Sequence, residues 1–180
     1  MKTYQILGLS GALRKGSTNS KLMREAARLF GNHNYTEADL NLPLYDGDSE
    51  AAHGVPPEVT KLAEQIAAAD AVLISTPEYN KGPSGVLKNA LDWVSRTSIA
   101  PWKNKPVAVM SAAAGRAGGE RAQMVLRGFM VPFQTRLLQG PEVHLANAAN
   151  QFDADGRLVS EQYIKTLTAL MENLRDEVDR

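Results

Sequence analysis

Cysteine is missing altogether from this 180-residue chain. Its absence excludes disulfide staples, thiolate metal sites and a thiol nucleophile, and it fits a reducing compartment. A surplus of either charge is missing too, because twenty Lys and Arg face twenty Asp and Glu. With no excess of positive charge, neither nucleic acid nor an anionic membrane is expected as a main partner. No apolar run approaches the roughly 18 residues a membrane helix needs. Met1 to Leu9 is too short an apolar run for a signal peptide. The expectation is a soluble, cytoplasmic protein.

Several catalytic signatures are absent as well. There is no Gly-x-Ser-x-Gly nucleophile elbow. His33, His53 and His144 are scattered without metal-ligand spacing. Asp153-Ala154-Asp155-Gly156 starts like a calcium loop, but Ile164 stands where the closing glutamate belongs, so a plain turn is expected.

What is present is an alternation of short apolar runs with stretches of helical period, in a length that suits one domain over 1–180. Strands are expected at residues 3–9, 35–40, 71–75, 107–110 and 136–145, the last interrupted at Gly140-Pro141. Helices are expected over about 19–30, from Pro57, over 84–95, over 119–130 and after Ser160. Leu42 to Asp48 reads as a loop from its Pro and Asp-Gly content. Such βαβ units build a parallel sheet with helices on both faces. Five strands in so short a chain suit the flavodoxin-like order 2-1-3-4-5, which places a ligand beyond the carboxyl ends of the strands.

Three unusual loops lie at that end. The first, Ser10 to Ser20, precedes a helix and holds Arg14, Lys15, Ser17, Thr18 and Asn19. A helix start favours an anion, and short hydroxyls and basic side chains suit a single terminal phosphate. A nucleoside-triphosphate loop is excluded, because Ser17 stands where the lysine belongs; Gly8, Gly11 and Gly16 do not form a dinucleotide fingerprint. A plain Ser/Thr/Asn-rich helix cap is the alternative. The second loop, Thr76 to Gly85, has two prolines and two glycines, a rigid platform for a flat ring or a purely structural connection. The third, Met110 to Gly119, carries small side chains apart from Arg116, which either meets the phosphates of an incoming nucleotide or is simply solvated.

Gly11-Ala12-Leu13-Arg14-Lys15-Gly16-Ser17-Thr18-Asn19, Pro77-Glu78-Tyr79-Asn80 and Leu87-Lys88-Asn89-Ala90-Leu91-Asp92-Trp93 resemble the NAD(P)H-dependent FMN reductases, a family of flavodoxin-like quinone, azo-dye and chromate reductases. The resemblance covers nearly the whole chain, Leu42 to Asp46 included. It implies FMN as cofactor and NADPH or NADH as co-substrate, with hydride passed in a ping-pong cycle to a quinone-like acceptor. It further implies that Arg14, Ser17, Thr18 and Asn19 hold the FMN phosphate, with Gly11 also among the cofactor-binding residues. Pro77, Glu78, Tyr79, Asn80 and Lys81 would lie along the ring, with Ser111, Ala113 and Gly115 on its far side. No catalytic side chain is named, since the cofactor carries the chemistry. The alternatives are a flavodoxin-like electron carrier, disfavoured by the neutral charge, and a non-catalytic FMN-binding protein. A homodimer or homotetramer is implied, and Trp93, beside the core stripe of its helix, is expected at or near a subunit contact.

Overall fold

The computed structural model describes residues 2–180. The strands are β1 (Tyr4–Ser10), β2 (His33–Glu37), β3 (Ala71–Thr76), β4 (Pro106–Ala112), β5 (Arg136–Leu137) and β6 (His144–Leu145). The helices are α1 (Thr18–Phe30), α2 (Gly47–His53), α3 (Pro57–Ala68), α4 (Gly85–Val94), α5 (Glu120–Met130) and α6 (Glu161–Val178). The strands pair in parallel in the order β2-β1-β3-β4-β5, and β6 adds to β4 nearer its carboxyl end. No described helix is long and apolar enough to cross a membrane.

The two-residue period of the strands sorts their side chains between two cores. Tyr4, Ile6, Ala71, Leu73, Ala108 and Met110 pack toward α1 and α6. Leu7, Leu9, Val72, Ile74, Val107 and Val109 pack toward α3, α4 and α5. β3 and β4 are buried along their full length, as central parallel strands must be when helices cover both faces. The same alternation decides the site: Ser75 and Ala112 belong to the α1 side, whereas Ser111 belongs to the α5 side.

Three local expectations are corrected. The second strand is 33–37 rather than 35–40, because the chain turns away after Glu37 into the loop that crosses α4. Asp46 does not simply end a loop; its side chain accepts the Asp48 and Ser49 N–H groups and caps the short α2, which has no buried residue and hence no apolar stripe to reveal it. The fifth strand is two separate two-residue pairings flanking the Gly140-Pro141 break.

Trp93 is also corrected. It is 2% exposed within its own chain. Its Nε1 donates to the Pro43 carbonyl at 2.7 Å, and its ring meets Tyr45 edge-on at 5.0 Å between centroids. It anchors the 42–46 loop to α4 and offers no surface to a second subunit.

A buried carboxylate ties the distal turn to α1. Glu25 is 2% exposed and is bonded by Arg28, by Arg157 and by the Leu158 N–H. Burial pushes its carboxyl up, but the arginine bonds outweigh this and hold it below its ordinary value. A carboxylate lowered in the folded state stabilises above its unfolded pKa, and that contribution is lost as pH falls through the folded value. Removal of Glu25 is expected to matter less than the 3–5 kcal/mol of a wholly buried pair, since both arginines are half-exposed. Glu25→Ala should lower stability at neutral pH by about 2 kcal/mol, and the deficit should shrink in chemical denaturation below about pH 4. A deficit independent of pH would contradict this role.

Candidate functional site

The first loop leaves β1 at Ser10 and enters α1 at Thr18. Among the described residues, no backbone N–H from Leu13 to Thr18 has an acceptor within the chain. Six consecutive unclaimed donors therefore lead into a helix start, beside the exposed side chains of Arg14 and Lys15. Such a run suits an anion. Ser17 is buried, and its Oγ accepts the Asn19 and Ser20 N–H groups as the cap of α1. Ser20 donates to Ser10 Oγ at 2.9 Å, closing the base of the loop.

Asn19 does something else. Its side chain is buried and points into the sheet. Its Nδ2 donates to the Ala112 carbonyl at 3.0 Å, and its Oδ1 accepts the Ala112 N–H at 3.0 Å and the Ser75 hydroxyl at 2.8 Å. One amide thus joins the first loop to the carboxyl ends of β3 and β4.

The second loop is held from both sides. Gly11 packs beneath it: a Cβ there would lie 2.9 Å from Ser84 Oγ and 3.0 Å from Pro77 Cδ. Tyr79 and Gly82 exchange backbone bonds at 3.0 Å around Asn80 and Lys81, whose φ values are 49° and 67°. These are the dihedrals of a type I′ hairpin. Asparagine tolerates this conformation and lysine does so less readily, so strain is stored at Lys81. The hairpin leaves Tyr79 58% exposed at the mouth of the cleft. Glu78 Oε2 accepts the Ala122 N–H in the first turn of α5 at 3.1 Å.

In the third loop, Ser111 Oγ donates to the Gly118 carbonyl at 2.7 Å and accepts from Gln123 Nε2 at 3.1 Å. This bond folds the glycine-rich turn back onto α5. Between the three loops lies a cleft of about 250 Å³. Arg14, Ser17, Thr18, Asn19, Pro77, Glu78, Tyr79 and Ala113 line it, with Ala12, Ala112, Ala114, Ala148 and Ala149. One wall is almost wholly methyl groups, so a flat ligand can approach the main chain closely.

Five residues expected in the site do not line this cleft. Gly11 is occupied by packing, and Asn80 and Lys81 form the hairpin corner. Ser111 turns to the opposite face of the sheet, and Gly115 forms the turn whose carbonyl accepts the Gly118 N–H. Asn19 reaches the cleft, but its amide is saturated by the protein. Ala148 and Ala149 were missed; they lie in a short 3₁₀ turn after β6, tied back by the Ala148 N–H to the Ala113 carbonyl. The alanines of 146–149 carried the same small-residue signal as the third loop. Arg116 is exposed.

A family model described as NADPH-dependent FMN reductase matches residues 4–150. The chain is 47% identical over 160 residues to an NAD(P)H-dependent FMN reductase of Pseudomonas aeruginosa, covering 88% of this chain and 86% of that one. It is 34% identical over 180 residues to a quinone reductase of Escherichia coli K12, covering 98% and 96%. Among solved structures, the flavoenzyme NAD(P)H:(acceptor) oxidoreductase FerB of Paracoccus denitrificans superposes with a TM-score of 0.88 at 32% identity, covering 98% of each chain.

Asn19→Ala removes three buried bonds and takes the side-chain donor from the Ala112 carbonyl. It should lower stability by roughly 2–4 kcal/mol, and Ser75→Ala by about 1 kcal/mol. Urea unfolding measures both, and a neutral Asn19→Ala would show that the bridge carries no strength.

Proposed function

This chain belongs to the NADPH-dependent FMN reductase family, and on that premise we propose that it passes a hydride from NADPH or NADH, by way of FMN, to a small quinone-like acceptor. It is an NAD(P)H-dependent oxidoreductase with FMN as its cofactor. The observation that carries the reading is the cleft itself, with an anion cradle at one end and a methyl-lined slot at the other. The residues present fit the cofactor: unclaimed N–H groups and a cation suit one phosphate, and small side chains suit a flat ring.

Arg14, Ser17, Thr18 and the main chain of Leu13 to Thr18 would hold the phosphate, and Pro77, Glu78, Tyr79 and Ala113 would flank the ring. When bound, FMN supplies the redox chemistry, accepting a hydride and giving it up again. The Glu78 carboxylate is engaged by α5, so no acid–base side chain is assigned. The hairpin at 79–82 borders one open side, which the nicotinamide and then the acceptor occupy in turn. The quinone reductase relative supports the acceptor class. Residues 1–180 act as one FMN-binding domain, and the lack of cysteine suits the cytoplasm.

The working unit we propose is a homodimer or homotetramer. With Trp93 withdrawn from that role, the outward side of α5 supports the contact. Met124 is 65% exposed, and Val131, just beyond the helix, is 73% exposed. They lie seven residues apart with Gly128 between them, an apolar line with no core to cover.

Three measurements test this reading. Initial rates with NADPH and a benzoquinone should give parallel double-reciprocal lines; intersecting lines would require both substrates bound at once. Arg14→Ala should weaken FMN binding by about 1.5–3 kcal/mol, or roughly 10- to 150-fold, the range of a charge-assisted bond to phosphate. It should leave riboflavin binding unchanged, and equal losses would remove Arg14 from the phosphate. Light scattering should give a multiple of the 19.5 kDa chain mass, reduced by Met124→Glu; a monomeric wild type would refute the assembly.

A further inference from the structure

Glu78 stands between the candidate ring slot and the start of α5. Glu78 is among the residues that line the cleft, and its Oε2 accepts the Ala122 N–H at 3.1 Å. The residue that would normally cap α5 is Gly119, left-handed at φ 90° and without a side chain to offer. A side chain there is blocked, since a Cβ would come 2.7 Å from Ser111 Cβ and 2.8 Å from its Oγ. The start of α5 therefore has no side-chain cap from Gly119 and keeps the partial positive charge of a helix terminus, although the Glu120 N–H bonds the Ala117 carbonyl. Glu120 already places one acid in that first turn, and Glu78, from a loop that borders the cleft, adds a second carboxylate bonded to the Ala122 N–H.

We propose that Glu78 sets the reduction potential of the bound flavin, holding it low. The proposal rests on the reading that the FMN ring lies along Pro77 to Tyr79. Hydride uptake, two electrons and one proton, leaves the ring with one more negative charge. A carboxylate beside the ring disfavours that charge by Coulomb repulsion, whereas a bare helix start would favour it. Glu78 acts in both senses at once, adding its own negative charge and screening the positive end of α5. The result is a reduced cofactor that is a stronger donor to its acceptor.

Glu78→Gln separates charge from geometry, because the amide oxygen still accepts the Ala122 N–H. Apo-protein from the wild type and the variant is titrated anaerobically with oxidised and with reduced FMN. The ratio of reduced to oxidised affinity should rise at least threefold in Glu78→Gln, and a tenfold rise corresponds to about 30 mV for a two-electron couple. Glu78→Ala, which drops both the charge and the bond, should raise the ratio at least as far and decides the matter if the glutamine variant does not fold. An unchanged or lowered ratio in a folded variant would leave Glu78 a mere cap and overturn the proposal. Failure of the wild-type apo-protein to bind FMN would instead remove the cleft reading, and this inference with it.

Discussion

The buried amide of Asn19 is the contact on which the arrangement of the cleft depends. The first loop grows from β1 and the second from β3, while the third grows from β4, and nothing in a parallel sheet alone fixes how far apart three such loops stand. Asn19 supplies that spacing with three bonds of 2.8–3.0 Å to Ala112 and Ser75. It can do so because it lies in the first turn of α1 and faces the sheet, while Ser75 and Ala112 lie on the α1 side of adjacent strands. A saturated, buried amide is stiff, since breaking one bond strands its partner away from water. The anion cradle and the slot are thereby held as one rigid body.

The remaining supports follow a similar logic. Gly11 lets the first loop lie against Pro77 and Ser84, and Ser111 with Gln123 holds the third loop down on α5. Polar side chains near the cleft are largely spent on one another or on the main chain. What lines the cleft is largely methyl groups, with Arg14, Thr18, Glu78 and Tyr79. That composition matches a family in which the cofactor carries the chemistry and the protein holds, orients and tunes it.

The fold could be read from the chain because its signals are strong and local. β3 is a continuous apolar run, and α1, α4 and α6 carry clear apolar stripes. The alternation of elements gave a parallel sheet with helices on both faces, and five strands in so short a chain suited the flavodoxin-like order that is found. What escaped had physical reasons. α2 buries nothing, so it leaves no stripe. Trp93 reads as a surplus apolar residue on its helix, because the Pro43 carbonyl and Tyr45 that satisfy it lie about fifty residues away. In the site, the loops were legible but the direction of each side chain was not. Asn19 and Ser111 have the chemistry of ligands, yet the strand period and the turn of α1 aim them into the protein. Ala148 and Ala149 reach the cleft only through the β6 pairing, which two residues of strand scarcely announce.

The most direct test of this account compares FMN with riboflavin on apo-protein carrying Asn19→Ala. If Asn19 fixes the spacing of the whole cleft, the variant should lose affinity for both by similar factors, because ring and phosphate contacts are misplaced together. Loss of FMN affinity with riboflavin binding intact would make Asn19 a phosphate ligand after all, and would contradict the bridge as the constraint that holds the site.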